Sequence, residues 1–121
     1  MLTIRPEQLA VFSKAQVKRF EDSMLVHLKK SFPEQCEGVD EAQLRDTIQH
    51  GIKRAAIYQI TDEADVSKYI DLMMSLGRDL DTDKKLPWAS EILKTRNHAG
   101  AKISELVETA EKKLRENKGH G

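Results

Sequence analysis

Asp79, Asp81 and Asp83 alternate within the stretch Leu76-Gly77-Arg78-Asp79-Leu80-Asp81-Thr82-Asp83-Lys84-Lys85-Leu86-Pro87-Trp88. Their i, i+2, i+4 spacing is the one with which calcium loops begin, because alternate side chains can converge on a hard cation. The remainder of such a loop is missing. Counting Asp79 as the first position, the sixth is Lys84 rather than glycine and the twelfth is Ser90 rather than a bidentate glutamate. Glu91 arrives one residue late, and Lys84 and Lys85 would repel a cation beside them. The stretch is therefore expected to be a solvated loop with Asx turns and an Arg78 pairing, without metal.

The other reactive side chains are scattered. His27, His50, His98, His120 and the single cysteine, Cys36, contain no pair at metal-ligand spacing, and nothing around Cys36 resembles a nucleophile elbow or a Gly-rich oxyanion loop. A buried structural cysteine is expected there. The carboxylate pairs Glu63 with Asp65 and Asp79 with Asp81 sit where capping roles are usual. These residues predict no enzyme, no metal and no cofactor. Twenty basic residues balance twenty acidic ones, and Lys53-Arg54, Lys84-Lys85 and Lys112-Lys113 are interleaved with acids and lack stacking aromatics. Nucleic acid is not an expected partner.

The helices must position the loop. Pro6 suits a first helical turn, and Leu9, Phe12, Val17, Phe20, Met24 and Leu28 predict one long amphipathic helix to Ser31, the longest of the chain, since Pro33 discourages helix at Phe32. Phe32 to Gly38 reads as a corner with one turn after Pro33. Asp40 with Gln43 forms a capping box for a helix through Leu44, Ile48, Ile52 and Ala55 to about Gln59, in which Gly51 marks close approach of another helix. Thr61 is expected to cap the next helix, with a stripe of Val66, Tyr69, Ile70, Met73 and Leu76 and a left-handed stop at Gly77. Pro87 starts a short helix through Leu93 that ends near Asn97. The last runs from Ala99 to Glu116, with Ile103, Leu106, Val107, Ala110 and Leu114 as its seam and Lys102 on the wet side. Residues 117–121 are expected to fray.

The expected fold is all-α, a single compact bundle of four main helices plus short ones spanning 1–121, with sequential neighbours antiparallel and the last helix packed on the first. No apolar run approaches the ~20 residues that cross a bilayer, and no secretory signal is visible, so a cytoplasmic protein with no membrane partner is expected. Polar groups on a connection between rigid elements are natural binding residues. Asp79, Leu80, Asp81, Asp83, Leu86 and Trp88 are the expected partner-binding surface, with an exposed apolar patch around Ile4, Leu80, Leu86 and Trp88.

Phe32-Pro33-Glu34-Gln35-Cys36, Gly51-Ile52-Lys53-Arg54-Ala55-Ala56-Ile57-Tyr58-Gln59-Ile60-Thr61, and Leu72-Met73 through Leu86-Pro87-Trp88-Ala89 together resemble a group of small helical proteins encoded in bacterial type VI secretion effector clusters. The resemblance covers residues 4 to about 94 and rests on packing and corner motifs. It implies a cytoplasmic adaptor or co-chaperone that holds an effector, or the effector's chaperone, during loading onto the secretion spike. Lys84-Lys85-Leu86 stands where an Asp-Pro type turn is expected in similar proteins, a local departure in the loop. The alternative is an immunity protein whose aspartates face a basic toxin cleft. Self-association through the last helix is a third reading.

Overall fold

The structure, a computed structural model, describes residues 13–120, with side chains described for 13–116. The expectations placed on Ile4, Pro6, Leu9 and Phe12 lie outside the described residues. Six helices and no strand occur among the described residues. The fold is all-α.

The first described helix, α1 (Lys14–Ser31), is fixed at its start by Ser13. The Ser13 hydroxyl accepts from the Gln16 amide at 3.2 Å, and the Gln16 carbonyl oxygen accepts from the Ser13 amide at 2.8 Å. An extended N-cap cannot sit inside a continuous helix, so the helix that was expected to pass unbroken through Ser13 starts after it, at Lys14. Consequently α1 is not the longest element. After the single turn α2 (Pro33–Cys36), Gly38 turns the chain at φ 77°, and Asp40 caps α3 (Glu41–Ile57) in the expected box with Gln43. Cys36 is half-buried, not enclosed.

The end of α3 has a local conformation that the composition conceals. Gln59 takes φ 62°, while Gln59 N–H donates to Ala56 and Ile60 N–H donates to Ala55. This is the Schellman arrangement with glutamine where glycine is usual, and it drives Ile60 into the core. Next comes α4 (Glu63–Leu76), capped by Asp62, whose carboxylate accepts from the Ala64 amide, and not by Thr61. Gly77 stops it at φ 122° and ψ 151°, a glycine-only region but not the left-handed helical one. The short α5 (Pro87–Leu93) starts on Pro87 as expected and ends before Asn97, and α6 (Ala99–His120) continues helical beyond Asn117, where fraying was expected.

Phe20, Leu28, Ile48, Tyr69, Ile70 and Leu106 fill the centre with almost no exposure. Gly51 permits close approach of α3 and α4: a methyl placed there would meet Ile70 Cγ1 at 2.6 Å and Met73 Sδ at 3.0 Å. On the far side, α1 and α3 are tied by Glu21, buried, which accepts from Arg45 Nη1 at 2.9 Å and Gln49 Nε2 at 2.8 Å.

The last helix packs mainly on α4 and α5, not on α1 as expected. Lys102, expected on the wet side, is buried and donates from Nζ to the Tyr58 carbonyl at 3.2 Å. That carbonyl is one of the unpaired acceptors at the end of α3, where a cation also meets the negative end of the helix dipole. Because α6 starts beside Tyr58 and lies against residues 68–75 further along, it runs in the same general direction as α4. The connection through α5 separates the two helices along the chain and makes that direction possible.

Candidate functional site

Along α3, Asp46, His50, Arg54 and Tyr58 recur every fourth residue and so form one polar stripe. The 77–86 loop lies along it. Arg78 Nη2 donates to Asp46 Oδ2 at 3.0 Å. One turn further, His50 Nε2 stands 3.6 Å from Asp79 Oδ1, an electrostatic contact too long for a hydrogen bond. Next, Arg54 Nε donates to Asp81 Oδ2 at 2.8 Å, its Nη2 donates to the same oxygen, and the Tyr58 hydroxyl adds a third bond at 2.9 Å.

Two residues expected on the binding surface are therefore structural. Leu80 is fully buried and the Asp81 side chain is only 1% exposed. Hydrophobic burial of Leu80 and the paired charge of Asp81 hold the loop from beneath. The expected apolar patch does not form around them: Leu80 is inside, and Leu86 and Trp88 are half-buried against the core. Of the residues expected on the binding surface, Asp79 is exposed and Asp83, Leu86 and Trp88 are partly accessible, beside exposed Arg78, Thr82, Lys84 and Lys85.

Its backbone is organised by successive turns. Thr82 and Asp83 amides both donate to the Asp79 carbonyl, the Leu86 amide donates to the Asp83 carbonyl, and Asp83 Oδ1 accepts from the Lys85 amide at 2.8 Å. The last is the expected Asx turn. Arg78 does pair, but across to α3.

The electrostatics match a latch. Hydrogen bonding to Asp81 raises the Arg54 guanidinium above its ordinary value. Burial pushes up both the Tyr58 and the Tyr69 phenol, helped in each case by the Asp81 charge. Three buried polar atoms remain without a hydrogen-bond partner among the described residues: Asp81 Oδ1, Tyr69 Oη and His50 Nε2.

The aspartates do not converge, since Asp81 turns inward and Asp83 serves its own turn. No group of three or more His, Cys, Asp or Glu side chains among the described residues is placed to hold a metal ion. His27 Nε2 contacts Asp71 Oδ1 at 2.8 Å, yet no serine or cysteine hydroxyl or thiol is hydrogen-bonded to a histidine among the described residues. What the arrangement does chemically is immobilise a loop.

A second surface feature lies between α4 and α6: an open groove of about 280 Å³ with Leu72, Val107, Ala110 and Leu114 along it and Lys68 and Glu111 on its walls. Leu114 is 43% exposed, and Val26 on α1 and Ile57 on α3 are the other exposed large hydrophobics among the described residues. Sequence reasoning missed the α3 stripe, although its four-residue period was written in the chain beside the apolar face of Leu44, Ile48 and Ile52. No described helix is long and apolar enough to cross a membrane. No family model, curated protein or solved structure matches the chain.

Proposed function

We propose that the protein is a non-catalytic binding module, an adaptor or co-chaperone for a type VI secretion effector or its chaperone, acting in the cytoplasm. The observation that supports this reading is the loop clamped from below by Leu80 and Asp81, which holds Asp79, Asp83, Leu86 and Trp88 in one arrangement before any partner arrives. Pre-ordering a loop reduces the entropy lost on association and so raises affinity without new contacts. Trp88 is the natural anchor because half its environment is core and the rest is accessible.

The immunity alternative needs a strongly acidic face. Asp81 is turned into the interior, and exposed Lys84 and Lys85 adjoin the aspartates that remain. The loop is mixed in charge, which favours the adaptor reading.

The test is affinity capture of the tagged chain from lysate of its source cells, alongside Trp88→Ala, Asp79→Asn with Asp83→Asn, and Leu114→Ser as a control away from the loop. Stoichiometric recovery of a secretion effector or chaperone, weakened by the loop changes and kept by the control, is the expected result. Recovery of no such protein, or recovery indifferent to the loop changes, contradicts the proposal.

A further inference from the structure

The groove between α4 and α6 carries both a hole and a knob. Leu72 and Ala110 along it are buried and Val107 is half-buried, while Leu114, two helical turns beyond Val107, stands 43% exposed. A patch of this kind complements itself about a two-fold axis: Leu114 of one copy enters the groove of a second beside Val107, and the second copy's Leu114 does the reverse.

Charge along α6 favours the same arrangement. Glu105, Glu108 and Glu111 precede Lys112, Lys113 and Arg115; all six are exposed, and none has an ion-pair partner among the described residues. The acids begin in the second turn of the helix, beyond the first turn where its dipole would favour them. Antiparallel pairing sets the acidic half of one helix against the basic half of the other, whereas parallel pairing sets like against like. With Leu114 seated beside Val107 of the second copy, helical spacing brings Glu108 opposite Arg115 and Glu111 opposite Lys112 on the flank of the contact, and symmetry makes each pair occur twice.

We propose that a second copy of this chain occupies the groove, forming a two-fold dimer in which α6 packs antiparallel on α6. The α4 and α6 helices of both copies then close around one apolar seam, as in a four-helix bundle. The groove takes no residue from the 77–86 loop, so this inference goes beyond the binding-module reading and stands whether or not the loop holds an effector.

Sedimentation velocity of the purified whole chain, over about 1 µM to 1 mM, tests it. A reversible monomer–dimer equilibrium is the expected result. Leu114→Asp places a charge in the seam and is expected to weaken association at least about tenfold, while Val26→Asp, at an exposed hydrophobic on α1, leaves it unchanged. Glu108→Arg is expected to weaken it about fivefold, and Glu108→Arg combined with Arg115→Glu to restore most of the loss, because the same pairs return with their signs exchanged. A chain that stays monomeric, a dimer indifferent to Leu114→Asp, or a charge exchange that restores nothing overturns the proposal. A monomer that captures another protein through Leu114 has a foreign segment in the groove, which also overturns it.

Discussion

Arg54 and Asp81 form an ion pair in which the acid is inside and the base is at the rim: the Asp81 side chain is 1% exposed and that of Arg54 is 30% exposed. Twenty-seven residues separate them along the chain. The pair therefore reports a tertiary event, the folding of the 77–86 loop back onto α3. Once Asp81 is inside, its neighbours Asp79 and Asp83 are left to face outward.

Removing one partner of this pair strands the other. Arg54→Met is expected to destabilise the protein by about 3 kcal/mol, because the Asp81 carboxylate keeps only the Tyr58 hydroxyl among its present donors. Arg54→Met combined with Asp81→Leu is expected to recover much of that loss, since a buried pair replaced as a unit by apolar side chains is often tolerated. Urea unfolding measures both. Equal destabilisation by the single and the double variant speaks against the pair as the holding element.

Gly51→Ala opposes helix propensity to packing. Alanine is the better helix former by about 1 kcal/mol, but its methyl would meet Ile70 Cγ1 at 2.6 Å, and overpacking typically costs about 1–3 kcal/mol. The contact is with the Cγ1 methylene, one bond from the branched Cβ of Ile70 and not a flexible tip, so packing is expected to win. A net loss of about 1 kcal/mol in chemical denaturation is the expected outcome, and a gain means that α3 and α4 separate easily.

Gln59→Gly should act in the opposite direction. Gln59 is the one described non-glycine residue with positive φ, in a position where glycine relieves the clash of a β-carbon. Stabilisation of about 0.5–1 kcal/mol is expected, read as a rise in the urea midpoint without change in slope. Ile60 burial and the two closing bonds to Ala55 and Ala56 should survive unaltered.

Alkaline pH separates the buried phenols from the rest of the chain. Tyr58 and Tyr69 both titrate above the ordinary value of 10.0 when folded. Above that value the unfolded chain releases these protons while the folded chain keeps them. Their contribution is complete below pH 10 and declines as pH rises through the folded values, by at most about 1.4 kcal/mol per unit for each phenol. Tyr69→Phe removes one of the two, so its stability is expected to fall less steeply than wild type above pH 10. Parallel profiles contradict the assignment of Tyr69 as buried and protonated.

Local signals were legible in the chain and long-range ones were not. The Asp40 and Gln43 box, the turn on Pro33, the start on Pro87 and the packing role of Gly51 all follow from residues within a turn or two, or from a glycine with no local reason to be helical. Ser13 and Gln16 gave the same capping signal as Asp40 and Gln43, but the apolar period continuing through Phe12 masked it. Asp81 and Lys102 carry ordinary surface chemistry, and each is buried only because the end of α3 supplies what it lacks: Arg54 and Tyr58 donors for one, the Tyr58 carbonyl for the other. Periodicity within a helix cannot reveal that a loop returns to cover its polar face. A four-residue spacing of Asp46, His50, Arg54 and Tyr58 was the available hint.

Amide hydrogen exchange across the 77–86 loop tests most directly whether the buried latch orders the presented surface. The Leu80, Thr82, Asp83 and Leu86 amides are each bonded within the loop, and protection in wild type reports that those bonds persist. With Arg54→Met, protection of these four amides is expected to collapse while α6 amides around Leu106 stay protected. Loop protection indifferent to Arg54→Met would contradict the latch, and with it the claim that Asp79, Asp83, Leu86 and Trp88 are held ready for a partner.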